Sequence, residues 1–344
     1  MLYIQFIFLI YYIFNTMNDL NTDVLSTIKS FIGDESYISF SFNKYFESQW
    51  DKPKKTRAIT KFTSNKMLTM SLEYGLKKTE KLCEFSASYN RLDLLCLFKA
   101  LGIDWGETCK ISIENKNIEL FKWAIKHKAP WKKAEICRLA AYNGEIDLLD
   151  WLQYKCCYSS FMFCCEGASE NGQLETLKWL RNRHFYWDEH SLSAACFYGH
   201  FEVVKWMVEN RCPISESSCS SAAFNDHLKI LKWIREKGLP WDERVCDFAA
   251  LNGNFETLKW AHRNGAPWDC ETFTSASSGG YLDILKWLHE NGCPSDINAC
   301  TEAAINGDIE ILKWIKNNNL PWDPSVFSIC IVYKHIDVLE WLSK

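Results

Sequence analysis

Cysteine is the residue type that first suggests chemistry in this chain. There are sixteen cysteines, and two close pairs, Cys156-Cys157 and Cys164-Cys165, hold enough thiolates to ligate a zinc ion. The eight histidines are candidates for metal ligation or proton transfer. No Ser-His-Asp order, phosphate-binding glycine loop or isolated carboxylate pair accompanies them. Whether the thiols and imidazoles form sites depends on the elements that carry them, and those elements repeat.

The most regular unit runs from Asp242 to Trp268, 27 residues, and Asp269 begins it again. Trp123, Trp151, Trp179, Trp206, Trp233, Trp260, Trp287, Trp314 and Trp341 mark the same place in nine copies, at spacings of 28, 28 and then 27. Weaker copies centre on Leu97 and Met70, which makes eleven over residues 54–344. A constant period of this length identifies a solenoid.

With positions counted from the marker Trp, residues at −5, −3, −2, 0 and +1 are apolar. At about 100° per residue they span a broad arc, which predicts a helix covered by neighbours on both sides. Positions −4, −1 and +3 read acid, lysine, polar (Glu256, Lys259, Arg263) and predict a solvated face. A shorter helix precedes. It carries Cys or another apolar residue at −14 and Ala at −11, and it ends near Gly at −7, where a left-handed cap fits. Pro at +7 stops the marker helix, and Asp at +9 suits the next N-cap. The prediction is an all-α helical-repeat solenoid of helix-turn-helix units.

The register also accounts for the chemical candidates. Cys165 falls at −14 and Cys157 at +6, where Cys212 and Cys293 also fall, so both are expected to be small buried apolar residues. His200, His227 and His335 share −6; His262 and His289 share +2. Of sixteen Trp residues, nine are markers and six fall at +8, so tryptophan is expected to be architecture. The expectation is therefore no metal site, no cofactor and no catalytic residue, with reduced thiols. Acidic and basic residues interleave at a net charge of −4, which argues against a nucleic-acid surface.

The unit resembles the ankyrin repeat. The resemblance lies in Ala-Ala-x-Asn-Gly-x-Phe-Glu-x-Leu-Lys-Trp at 249–260 and Asn-Gly-Ala at 264–266, with the same frame at 140–151 and 303–314. The chain departs from the family in lacking Thr-Pro-Leu-His. It is also about six residues short of the usual ~33, with Pro-Trp-Asp standing where a β-hairpin finger would be. Short Trp-rich repeats of this kind are similar to those of large DNA viruses and some protists. The resemblance implies a protein-binding scaffold, cytoplasmic, or in the host cytoplasm if viral.

Two segments precede the repeats. Residues 1–16 are apolar but shorter than the ~20 residues of a spanning helix. They read either as lying upstream of a true start at Met17 or as a membrane anchor. Residues 17–53 read as a small helical cap, with Val24, Leu25, Ile28, Phe31 and Ile32 on one face. The same pattern resembles a degenerate F-box, which would dock the chain on a ubiquitin-ligase scaffold subunit and make the repeats a substrate arm.

The predicted partner surface lies on the first helices. Position −9 points about 140° away from the buried −14 direction. It carries Tyr142, Phe197, Phe224 and Leu251, three of them in consecutive units, and stacking is expected to align them as an exposed or half-covered ridge. Polar residues at −13, namely Arg138, Ser193, Ser220 and Asp247, are expected to set specificity beside it.

Overall fold

A computed structural model describes residues 79–343. The described residues fall into two units that divide after residue 108. The apolar segment 1–16, the cap or F-box-like segment 17–53 and the repeat centred on Met70 lie outside the described residues. Among the described residues every regular element is helical.

In the first unit, α1 (Lys81–Ser88) and α2 (Leu92–Ala100) form one helical pair. Leu82, Cys83 and Ala87 of α1 and Leu94, Leu95 and Phe98 of α2 are its buried side chains. Lys99 then lies over the ring of Trp105, 4.4 Å from its centroid.

The helices that follow come as nine further pairs. They are α3 (Thr108–Glu114) and α4 (Ile118–Lys126), α5 (Lys133–Asn143) and α6 (Ile146–Gln153), α7 (Cys164–Glu170) and α8 (Leu174–Asn182), α9 (Glu189–Phe197) and α10 (Phe201–Glu209), and α11 (Ser217–Phe224) and α12 (Leu228–Glu236). Then come α13 (Arg244–Leu251) and α14 (Phe255–Arg263), α15 (Cys270–Ser278) and α16 (Leu282–Glu290), α17 (Asn298–Asn306) and α18 (Ile309–Asn317), and α19 (Val326–Tyr333) and α20 (Ile336–Leu342). From α5 on, each first helix lies directly against the first helix of the next pair. The residues at −14, −11 and −10 permit this. Cys219, Ala222 and Ala223 of α11, like Cys246, Ala249 and Ala250 of α13, are wholly buried. Small side chains let the backbones approach. This is an all-α helical-repeat solenoid.

The turn inside each pair needs one left-handed residue. Gly253 (φ 74°) takes that conformation between α13 and α14, and Asp226 (φ 59°) takes it between α11 and α12. Glycine meets this need without steric cost, and Asp is one of the few side chains that tolerate it. Asp188, Asp269, Asp296 and Asp323 accept hydrogen bonds from backbone N–H groups two or three residues on, as the N-cap reading expects, whereas Asp242 at the same place pairs with Arg244 instead.

The apolar arc of the second helices is narrower than its sequence pattern. Positions −3, −2 and +1 are buried, as with Ile230, Leu231 and Ile234. The marker Trp and the −5 residue are only half-buried. The Trp instead sits at the edge of the core and touches the preceding unit. Trp206 meets Trp187, Trp260 meets Trp241, Trp287 meets Trp268 and Trp341 meets Trp322, each near edge-on at 5.6–6.3 Å. Trp233 meets Phe201 at 5.9 Å in the same way. The +2 residue completes the seam by lying on the +8 ring. Arg235 lies 3.9 Å from the Trp241 centroid, and His262 stacks on Trp268 at 3.6 Å. Indole is amphipathic, which suits a half-wet boundary between units. The marker tryptophans are thus architecture but not core, whereas Trp187 at +8 is buried.

One loop departs from the register. After α6 the chain reaches α7 through residues 154–163, which contain a 3₁₀ turn, Tyr158–Phe161. In neighbouring units a left-handed residue stands at +5 (His184, Arg211, Gly238), and the +6 N–H then bonds back to the +1 carbonyl. No residue of 154–157 has positive φ, and Cys156 itself bonds to the Leu152 carbonyl at 2.9 Å. Cys156 therefore takes the +6 role one residue early. Cys157 is displaced to the surface, against the buried place expected of it.

Candidate functional site: the edge of the first helices

Position −9 is the last turn of each first helix. Tyr142, Phe197, Phe224 and Leu251 are all half-buried there, as their direction on the helix predicts. The rings of Phe197 and Phe224 stack at 5.5 Å with 29° between their planes, which joins α9 to α11 along the ridge. Two rings that the −9 pattern does not contain extend this contact. Tyr198, 53% exposed, meets Phe197 edge-on at 5.1 Å. Half-buried Phe248, at −12 in α13, meets Phe224 edge-on at 5.5 Å. Four aromatic rings from three successive units thus form one contiguous strip. Position −12 holds Ala194 and Ser221 in the two preceding units, so periodicity alone did not mark Phe248.

The backbone under this strip is held by the next unit. Phe197 O accepts from Asn225 Nδ2 at 2.8 Å and from His227 Nε2 at 3.0 Å. Phe224 O accepts from Asn254 Nδ2 at 2.9 Å, and Ile305 O from His335 Nε2 at 2.8 Å. The −6 histidines are accordingly inter-unit hydrogen-bond donors. Each satisfies a carbonyl at a helix end that has no intrahelical partner.

The −13 residues do not flank the strip. Ser220 is 2% exposed and Asp247 6%. Ser220 donates to the Ser217 carbonyl of its own helix, and the other three −13 side chains reach across to the next first helix. Arg138 pairs with Glu170 at 2.5 Å, Ser193 bonds Ser217 at 2.8 Å, and Thr272 donates to Asp247 at 2.5 Å. They form a polar seam inside the stack. The reading that gave Ser220 and Asp247 a role in specificity is corrected by their burial, and Arg138 and Ser193 spend their polar groups on neighbouring units. Burial pushes the Asp247 carboxyl up to about 6, against the opposing hydrogen bond from Thr272; Asp269, Glu271 and Glu243 add to the rise.

The thiols at −14 sit as the register expects. Cys137, Cys165, Cys219 and Cys246 are buried, and burial pushes each thiol up. Among the described residues no group of three or more His, Cys, Asp or Glu is arranged to hold a metal ion. No helix among them is long and apolar enough to cross a membrane.

Residues 219–262 match the family described as ankyrin repeats (many copies). The matched stretch runs from α11 into α14 and holds Phe224, Phe248 and Leu251. Among curated proteins none matches the chain. The helix arrangement of the matched stretch, with first helices stacked and a left-handed turn to the second, recurs in the pairs on either side of it.

Proposed function

We propose that the repeats bind a partner protein at the edge of the first helices, centred on Tyr198, Phe197, Phe224 and Phe248, with Tyr142 and Leu251 beside them. The observation that carries this reading is the unbroken strip of half-covered rings across three units. Contiguous apolar surface of this kind marks contact sites, and aromatic anchors dominate interface energy. Ankyrin repeats as a family serve as protein-binding scaffolds, and the matched stretch holds Phe224 and Phe248 of the strip. The chain acts in this reading as a non-catalytic scaffold in the cytoplasm. Its adaptor form would add docking through Val24, Leu25, Ile28, Phe31 and Ile32 to a ubiquitin-ligase scaffold.

The test is affinity capture from the native cell with the wild type and a Phe197→Ser, Phe224→Ser double variant, read by mass spectrometry. The expected result is a protein recovered with the wild type and lost with the variant, while helical circular dichroism is unchanged. Full capture by a folded double variant would remove the strip from the binding surface. Recovery of ligase subunits that depends on residues 20–50 would establish the adaptor form.

A further inference from the structure

The loop that departs from the register also changes what the chain shows at its surface. In the eight units whose markers run from Trp123 to Trp314, position +7 is Pro in six. The two exceptions, Tyr158 and Tyr186, stand in consecutive units and are 61% and 55% exposed. Their loops touch. The Tyr158 hydroxyl donates to the His184 carbonyl at 2.7 Å, and its ring stacks on Phe185 at 5.2 Å. Tyr154, Met162 and Phe163 of the first loop are exposed as well. Cations border these side chains. Residues 126–133, 154–163 and 181–187 contain no Asp or Glu. The 3₁₀ turn lies against α5, whose first residue is Lys133. Lys126, Lys128, Lys133 and Lys155 are exposed and form no ion pair among the described residues. Lys133 and Lys155 lie over indole rings, 6.0 and 5.8 Å from the Trp131 and Trp151 centroids. Glu135 is already engaged by Lys110 and Lys132, and Asp150 by Arg183.

We propose that this loop edge is a second docking surface, which takes an acidic segment of a partner protein that also carries apolar side chains. Tyr, Phe and Met concentrate at the centres of protein interfaces, whereas Lys is depleted there. The edge has both features, with rings and Met162 on the two adjoining loops and lysines around them. Apolar side chains of the segment settle among Tyr158, Met162, Phe163 and Tyr186. Its carboxylates answer the lysines, which steer the encounter and fix its register. Asp188 and Glu189 follow Trp187 directly and limit what else can bind. A nucleic-acid strand or an anionic bilayer presents negative charge all along its contact and is repelled at that point. A peptide can place an uncharged residue there. This edge is separate from the strip of Phe197 and Phe224. The strip lies at the C-terminal ends of the first helices, and these loops lead into the N-terminal ends.

The experiment selects a random linear-peptide library on the full chain and measures the enriched peptides by fluorescence anisotropy. The expected peptides are rich in Asp and Glu with Leu, Ile or Phe between them. A Tyr186→Ser, Met162→Ser variant and a Lys128→Glu, Lys155→Glu variant should each bind them about tenfold more weakly or worse. Wild-type binding should also fall as salt is raised. Tyr158 is left in place because its ring packs on Phe185. The Phe197→Ser, Phe224→Ser variant should bind these peptides as the wild type does, and circular dichroism checks that every variant is helical. No enrichment, peptides without acidic bias, or unchanged binding by either edge variant would overturn the proposal. Loss of binding in the Phe197→Ser, Phe224→Ser variant would overturn it too, by moving the peptides to the strip. Tighter binding of oligothymidine, or of phosphatidylserine vesicles, than of the best peptide would overturn the choice of a protein segment.

Discussion

His227 Nε2 lies 3.0 Å from the carbonyl oxygen of Phe197, so a side chain of one unit terminates the first helix of the unit before it. Asn254 makes the equivalent bond to Phe224. His227→Asn should therefore be nearly neutral. His227→Leu leaves the same apolar bulk without a donor and should cost about 1–2 kcal/mol, the usual loss when a partly buried carbonyl gives up a hydrogen bond. Urea unfolding of the two variants checks this, and equal losses would mean that the ring's packing matters and its nitrogen does not.

The half-covered place of the marker Trp reverses a natural expectation. Leu231 is wholly buried, while Trp233 is only half-buried against Phe201. Leu231→Ala should cost about 3–4 kcal/mol and Trp233→Ala about 2 kcal/mol, despite the larger side chain lost in the second. A larger loss for Trp233→Ala would place the indole in the core.

Asp247 gives a pH signature. Its carboxyl titrates near 6 in the folded chain, above the ordinary carboxylate value, because burial penalises its charged form. The folded state thus binds the proton more tightly than the unfolded state. The penalty is full above pH ~6, shrinks as pH falls through that value, and is gone below the unfolded value near 4. Asp247→Asn keeps an acceptor for Thr272 and carries no charge. It should be more stable than the wild type at pH 7.5 by on the order of 1–3 kcal/mol, and the two should converge at pH 4. A gap that does not vary with pH would show that charge is not the cause.

Phe248 separates the partner strip from the −9 pattern. Phe248→Ser should reduce capture of any partner that the Phe197→Ser, Phe224→Ser variant loses. The equivalent change at Leu251, which contributes no ring to the strip, should reduce it less. Equal loss at both would return the site to the −9 ridge.

Much of the fold is legible in the sequence because each unit repeats the same local requirements. The −14 residue is apolar, the −11 residue is small and buried, a left-handed residue ends the first helix, and Asp caps most of the next ones. What a single helix cannot disclose is which of its sides a neighbour covers. Ser220 and Asp247 are polar, yet they lie between adjacent first helices, where Thr272 satisfies Asp247. Trp233 is apolar, yet it stands at an edge. The slip at Cys156 escapes the register for another reason. The marker interval that contains it, Trp151 to Trp179, is 28, the same as the interval before it. The loss of a left-handed residue is compensated within the loop, by a 3₁₀ turn and a later start of α7.

The bond from His227 to the Phe197 carbonyl has one more result. At −9 the task of joining units falls to the main chain, and every residue type possesses the same carbonyl. The side chain at that place is then free to vary, even where it adds an inter-unit contact of its own, as Glu170 does with Arg138 and Phe197 with Phe224, and along the chain it is Tyr142, Glu170, Phe197, Phe224, Leu251, Ser278 and Ile305. Binding preference can therefore drift one unit at a time without retuning the stack. The backbone beneath is already fixed, so a partner that settles on these side chains has little chain entropy to extinguish.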